Sequence, residues 1–223
     1  VRYGRRMAVA GVTWQLSHGF HALLGPNGAG KTSLLRALVG LQRSSGCVTL
    51  DGTPVPRALH RVSFLPQENL GRSRFTVAEH LAYMCWLRRL SKQIVGAEVE
   101  RVINLVGLTD RADERIASLS GGMRRRVGLG SVLVGTPDLV VLDEPSAGLD
   151  VAQRESLSGV LHRVAESAIV IISTHIVEDV LHHADTLTVM DRGRFLFHGD
   201  FDHFAPTREL DAVRGRYVSM VTP

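Results

Sequence analysis

The chain has 223 residues, of which 44% are hydrophobic, 22% charged and 5% aromatic, with a net charge of +4. This composition suits a globular protein with a mainly aliphatic core, organised as one large domain or a domain with a subdomain. The charge is read as a mildly basic surface, with no nucleic-acid partner expected. No apolar stretch approaches the roughly 18–20 residues that a membrane-spanning helix needs, and no signal peptide is read. Any membrane function therefore expects its spanning segments in another chain. Cys47 and Cys85 lack the spacing of a zinc site or a disulfide framework, and both are expected to pack in the core.

In chain order, Val12–Leu16 and Phe20–Leu24 read as strands. The glycine-rich turn Gly25–Gly30 follows, and then a helix over Thr32–Leu41 with Leu34, Leu35, Leu38 and Val39 on one face. Cys47–Leu50 and Val62–Leu65 read as short strands, after which the pattern turns helical over Val77–Leu90, Val95–Val106 and Met123–Val134. Leu139–Leu142 and Ala168–Ile172 are apolar runs of the buried-strand type, with a helix over Ala152–Glu166 between them. Thr186–Met190 and Arg194–Phe197, around a turn at Arg192-Gly193, predict a closing hairpin. The order predicts an α/β fold with a parallel sheet covered by helices. The tail from Asp200 onward says little.

Only Lys31 and Lys92 are lysines among 26 basic residues. Lys31 lies in Gly25-Pro26-Asn27-Gly28-Ala29-Gly30-Lys31-Thr32-Ser33, which fits the phosphate-binding pattern between an apolar strand and a helix. Glycines permit torsions that bring successive N–H groups to a phosphate, and the helix start adds further donors. Lys31 supplies a compact point charge for the β- and γ-phosphates, and Thr32 a hydroxyl for Mg²⁺. The strand Leu139–Leu142 ends in Asp143 and Glu144. A carboxylate there suits Mg²⁺, and its neighbour suits a general base for water. Leu119-Ser120-Gly121-Gly122-Met123 reads as another anion-binding helix start. A second phosphate element beyond the first loop points to a nucleotide held by a second subunit, while a plain N-cap at Ser120 is the alternative.

Together these segments resemble the nucleotide-binding domains of ABC transporters. The phosphate loop and the acid-ended strand correspond to Walker A and Walker B, and Leu119–Met123 to the signature. The resemblance implies Gln67 as the Q-loop glutamine at the catalytic and Mg²⁺ site. It likewise implies Asp150 in the D-loop, His175 as the switch histidine holding the γ-phosphate, and Tyr3 as the ring stacking on adenine. ATP and Mg²⁺ are the implied ligands. A P-loop NTPase core over 1–67 and 137–199, a helical subdomain over about 68–136, an N-terminal antiparallel β region and a tail over 200–223 are the implied organisation. Met123 followed by Arg124, Arg125 and Arg126 resembles the ABC-2 type drug- and antibiotic-resistance exporters, as does Val151 to Arg154.

That family implies a second ATP-binding domain, a membrane permease and a peripheral place on the cytoplasmic face of the membrane. A soluble ABC-type ATPase in an assembly or nucleic-acid-related process is the competing reading. The segment from Glu68 to Leu90, with Leu70, Phe75, Tyr83 and Trp86 among Arg72, Arg74 and Arg88, is expected to dock the permease; the alternative is that Tyr83 and Trp86 pack the helical segment's own core. Arg124 to Arg126 and His182-His183 are expected on solvated helix faces.

Overall fold

The computed structural model describes residues 1–4, 6–67, 73–181, 183–205 and 207–222. Strands β1 (Arg2–Tyr3) and β2 (Arg6–Met7) pair antiparallel, and β3 (Gly19–Leu24) leads through the glycine-rich turn into α1 (Lys31–Leu38). A second small antiparallel pair, β4 (Thr49–Leu50) and β5 (Thr53–Pro54), precedes β6 (Val62–Leu65). Three helices then run in succession: α2 (Val77–Leu87), α3 (Lys92–Leu105) and α4 (Gly121–Leu133). β7 (Leu139–Asp143), α5 (Val151–Ala165) and β8 (Ile169–Thr174) follow. The chain ends in the hairpin β9 (Thr186–Asp191) and β10 (Arg194–Asp200), then α6 (Phe201–Phe204) and α7 (Leu210–Val221).

Among the described residues the central sheet has six strands in the order β10-β9-β3-β8-β7-β6. All pairs are parallel except the β9–β10 hairpin, whose turn has positive φ at Arg192 and Gly193, as a tight two-residue connection requires. Side chains alternate across the sheet. Leu23, Val141 and Ile171 pack with Leu34 and Leu35 of α1 on one face. On the other, Ala22, Leu24, Val140, Leu142, Val170 and Ile172 join a cluster with residues of α2 to α5. Both faces are covered, so the central strands carry unbroken apolar runs. The register pairs Leu24 with Thr174 and Asp143 with Ser173, bringing the carboxyl ends of β3, β7 and β8 to one edge.

Helix starts follow local side chains. Thr76 and Glu79 exchange side chain to backbone bonds of 3.1 and 2.8 Å at the head of α2, a reciprocal capping box. Ser91 caps α3. In the tail, Phe201 and Phe204 of α6 are fully buried, an anchoring that polar surroundings in the sequence conceal.

Several expectations are corrected. Val12–Leu16 forms no strand: Val12, Trp14 and Leu16 are half-buried with exposed residues between them, but both edges of β3 are already taken by β8 and β9, so the alternation lacks a ladder partner. Cys85 is buried, whereas Cys47 is exposed, because it falls just ahead of the short β4–β5 pair. His182 lies outside the described residues, and His183 is half-buried in a turn with its ring 5.3 Å from that of His162. Arg88 is no free surface cation: it donates to the carbonyls of His60 and Val62 at 3.3 and 3.4 Å and to the Ser63 hydroxyl.

Two buried histidines make the fold acid-sensitive. His80 of α2 bonds the Ser131 hydroxyl of α4 at 2.8 Å. Because Ser131 already donates to the Val127 carbonyl, His80 Nε2 is the donor. His21 of β3 sits between the Ser17 carbonyl and the Thr186 hydroxyl, each at 2.8 Å. Burial holds both imidazoles below their ordinary value of 6.5, partly offset at His21 by the Ser17 carbonyl. The unfolded chain therefore takes up these protons first, so stability is full above 6.5 and falls as pH drops through that value toward the folded ones. Urea midpoints should decline across that window, and His80→Gln should remove part of the slope. A midpoint flat in pH would contradict this.

Candidate active site

The turn from β3 into α1 lies at the carboxyl edge of the sheet, where open α/β sheets bind ligands. It has no room for side chains. A Cβ on Gly25 would stand 2.2 Å from the Met190 carbonyl oxygen, and one on Gly30, at φ +106°, 2.5 Å from that of Ala8. Gly28, at φ +82°, is exposed with nothing near its Cβ position, so the backbone there can be approached closely. No side chain caps α1 at Gly30, which leaves the first-turn amides available to an anion. Pro26, Thr32 and Ser33 are half-buried around this cradle, Ala29 is buried and Asn27 is exposed.

Lys31 is turned inward and is only 6% exposed. Its ammonium donates to the carbonyls of Gly25 at 2.7 Å and Pro26 at 3.3 Å, and it pairs with Glu144 Oε1 at 3.2 Å. The other oxygen, Glu144 Oε2, is 2.8 Å from His175 Nδ1. Lysine from the head of α1, glutamate after β7 and histidine after β8 thus form one chain. Glu144 reaches it from a left-handed backbone, φ +48°, a conformation uncommon outside glycine. Its N–H is held by Ser173, both by the carbonyl at 3.1 Å and by the hydroxyl at 3.0 Å. The same hydroxyl donates to Asp143 Oδ1 at 2.6 Å. Nearby, Asp179 Oδ2 accepts from Thr174 at 2.7 Å and from the Ser146 hydroxyl, tying the segment after β7 to the segment after β8.

The arginine run departs from its expectation. Arg124 and Arg126 are half-buried, but Arg125 is 3% exposed and lies inside the site. It donates to the carbonyls of Pro145, Glu144, Asp143, Gln67 and Pro66. Burial lowers its proton affinity and the Asp143 carboxylate opposes that effect; a guanidinium stays charged in either case. Three consecutive arginines give no sign of which one turns inward, and backbone carbonyls leave no mark in the residue types that supply them.

The remaining site residues stay on the surface. Gln67 is exposed just after β6, reached by the cluster only through its carbonyl and Arg125. Ser120 is the exposed N-cap of α4, accepting from Met123 N–H at 3.3 Å, and Asp150 the exposed N-cap of α5, accepting from Gln153 N–H at 2.8 Å. Gly121 is open, whereas a Cβ on Gly122 would meet Gln153 Oε1 at 2.7 Å, so the Gln153 side chain of α5 reaches the head of α4. Tyr3 is exposed on β1. Among the described residues, no hydrogen bond or ion pair joins Tyr3, Ser120 or Asp150 to the lysine–glutamate–histidine chain.

Residues 9–147, more than half of the chain, match the family described as ABC transporter. The chain belongs to the ABC transporter family. It is an ATP-binding ATPase subunit of that family. Among its relatives is the Nod factor export ATP-binding protein I of Burkholderia orbicola, 38% identical over 205 residues, covering 89% of this chain and 67% of that protein. Another is the linearmycin resistance ATP-binding protein LnrL of Bacillus subtilis, 31% identical over 204 residues, covering 88% of this chain and 66% of that protein. A solved structure titled "Structure of ATP binding subunit of ABC transporter" superposes with a TM-score of 0.84 over 98% of this chain and 95% of that one, at 22% identity, which establishes the shared fold.

Ser173 is the test of how this ABC ATPase holds its acidic strand end. Ser173→Ala leaves Asp143 Oδ1 without its hydroxyl in a buried place, so unfolding free energy should fall by about 1–3 kcal/mol. Urea unfolding measures this, and an unchanged midpoint would remove the hydroxyl from the account.

Proposed function

We propose that this chain is the motor subunit of an exporter, in which two ATP-binding domains close head to tail on two ATP molecules and drive a separate membrane permease. The observation that carries the catalytic part is the chain Lys31–Glu144–His175 beside the phosphate-binding turn. The export direction rests on relatives whose names describe export and drug resistance. In this reading residues 1–67 and 137–199 are the nucleotide-binding core, about 68–136 the helical subdomain and 200–223 a tail. The protein works peripherally on the cytoplasmic face of the membrane. No helix among the described residues is long and apolar enough to cross it.

Gly25 to Ser33 cradle the phosphates of ATP, and Tyr3 stacks on the adenine. Lys31 leaves the Gly25 and Pro26 carbonyls and Glu144 for phosphate oxygens, which frees Glu144 Oε1 to accept a proton from the attacking water. His175, held by Glu144 Oε2, sits at the γ-phosphate. Thr32, Gln67 and Asp143 would hold Mg²⁺, and a hydroxyl, an amide and a carboxylate form the all-oxygen donor set it requires. Mg²⁺ held there would supply charge to neutralise the phosphates. Ser120, Gly121 and Gly122 receive the γ-phosphate held by the second domain, and Asp150 crosses the same interface. The exposure of Ser120, Gly121 and Asp150 supports this. Their capping bonds coexist with it, because the Ser120 hydroxyl accepts in its cap and keeps its proton to donate, Asp150 caps through one of its two oxygens, and the caps do not use the Gly121 and Gly122 amides.

Glu144→Gln should keep ATP binding and lower turnover by about 10²-fold or more, as loss of a general base does. With the ATP bridge uncleared, the variant should also sediment as a dimer in Mg-ATP. Near-wild-type turnover would end the assignment of the base, and a persistent monomer would end the sandwich.

The permease docks against α2. Phe75, Tyr83 and Trp86 form an exposed aromatic row, with ring centroids 6.0 and 5.8 Å apart and Trp86 67% exposed. An apolar surface of this kind supports an interaction site over packing in the helices' own core. Arg74 is exposed beside it, while Glu68, Leu70 and Arg72 lie outside the described residues. Tyr83→Ala with Trp86→Ala should leave ATP affinity and melting temperature unchanged but reduce recovery with permease-containing membranes severalfold. Equal recovery would move the docking site elsewhere.

A further inference from the structure

Arg125 has no part in the chemistry above, yet it is among the most fully engaged side chains in the molecule. It lies one turn and a half into α4, five residues after the Ser120 cap. Buried guanidinium groups ordinarily meet a carboxylate. Among the described residues, this one hydrogen-bonds backbone alone: Nε donates to Pro145 O at 2.9 Å, one terminal nitrogen to Pro66 O at 3.3 Å and Gln67 O at 3.2 Å, and the other to Asp143 O at 3.3 Å and Glu144 O at 2.7 Å. All five donors of the fork are used. The shortest of the five bonds falls on Glu144, the residue whose backbone is left-handed.

The arginine joins two neighbouring strand ends of the sheet to a helix: Pro66 and Gln67 follow the edge strand β6, Asp143 ends β7 and Glu144 and Pro145 follow it, and Arg125 rides on α4. A shift of α4 along its axis must either carry these carbonyls with it or leave a buried charge without acceptors, and the second is costly. The fork is planar and rigid, so it fixes direction as well as distance. A lysine would keep the charge but concentrate its donors at one point, which cannot serve the carbonyls of both strand ends.

We propose that Arg125 is a positioning residue that couples the N-terminus of α4 to the backbone of Glu144 and Gln67, so that engagement of Ser120–Gly122 by one nucleotide sets the base acting on the other. This rests on the sandwich reading under Proposed function. It adds a direction of communication. The nucleotide held by the partner domain reaches this domain's own acid through one side chain, and without passing through the phosphate-binding turn.

The test compares Arg125→Lys and Arg125→Gln with the parent chain, alone and combined with Glu144→Gln. Arg125→Lys should bind Mg-ATP with unchanged affinity and still form the ATP-dependent dimer in the Glu144→Gln background. Its kcat should nevertheless fall by roughly 10- to 10²-fold, the scale for a misplaced reacting group, with KM unchanged. The rise of specific activity with protein concentration should flatten as well, because dimer formation no longer sets the base. Parent-like turnover in both Arg125 variants overturns the inference. So does a parallel loss of ATP affinity, dimer and melting temperature, which marks a purely structural residue. If both variants fail to fold, hydrogen exchange in the Glu144→Gln protein decides: Mg-ATP should slow exchange at 143–146 together with the start of α4, and no change at 143–146 overturns the coupling. Failure of the sandwich reading looks different, since Glu144→Gln with Arg125 intact would then form no dimer at all.

Discussion

Two neighbouring carboxylates at the end of a buried strand set the terms for everything around them. Asp143 and Glu144 are 1% and 5% exposed, and ionised groups so far from water must be compensated by charge or hydrogen bonds. Three kinds of partner answer this. Lys31 brings a full charge to Glu144. Ser173 brings a hydroxyl to Asp143 and takes the Glu144 amide. Arg125 places its charge behind both residues while touching only their carbonyls. The glycine-rich turn, His175 and α4 are thereby drawn to one point.

This arrangement also explains why the lysine can be mobile and the arginine cannot. Lys31 has three donors on a flexible stem and its acceptors are replaceable by phosphate oxygens. Arg125 has five acceptors from two segments, and no single incoming group offers the same set. The site therefore pairs one cation able to change partners with one whose partners are fixed.

Much of this was legible in the residues. The phosphate-binding turn is local chemistry, so Gly25 to Thr32 with its flanking strand and helix could be read directly. Strands buried on both faces leave mainly apolar runs, so β3, β6, β7 and β8 were found to within about two residues at either end. Failures arose where tertiary context decides. The alternation of Val12, Trp14 and Leu16 reports which side chains face inward, but a strand also needs a free edge, and that depends on β8 and β9 far along the chain. Cys47 was assigned inward on residue type alone. Arg125 was hidden because its partners are carbonyls, which every residue possesses. Ser120 was read from its own residues as an anion-binding helix start or a plain N-cap, and Asp150 was singled out through resemblance to a family; the geometry of this chain alone accounts for both as helix caps.

The left-handed backbone at Glu144 carries one more consequence. Glycine adopts this conformation freely, and asparagine and aspartate more readily than most residues, but glycine and asparagine carry no carboxylate and that of aspartate is one methylene shorter. A substitution that relaxes the turn therefore strips the buried Lys31 ammonium of its partner, and stranding half of a buried ion pair costs about 3–5 kcal/mol against about 1–3 for the backbone strain it removes. A variant library enriched only for thermal endurance would be expected to keep glutamate at 144, so the residue proposed as the base is held in place by the fold as well as by turnover.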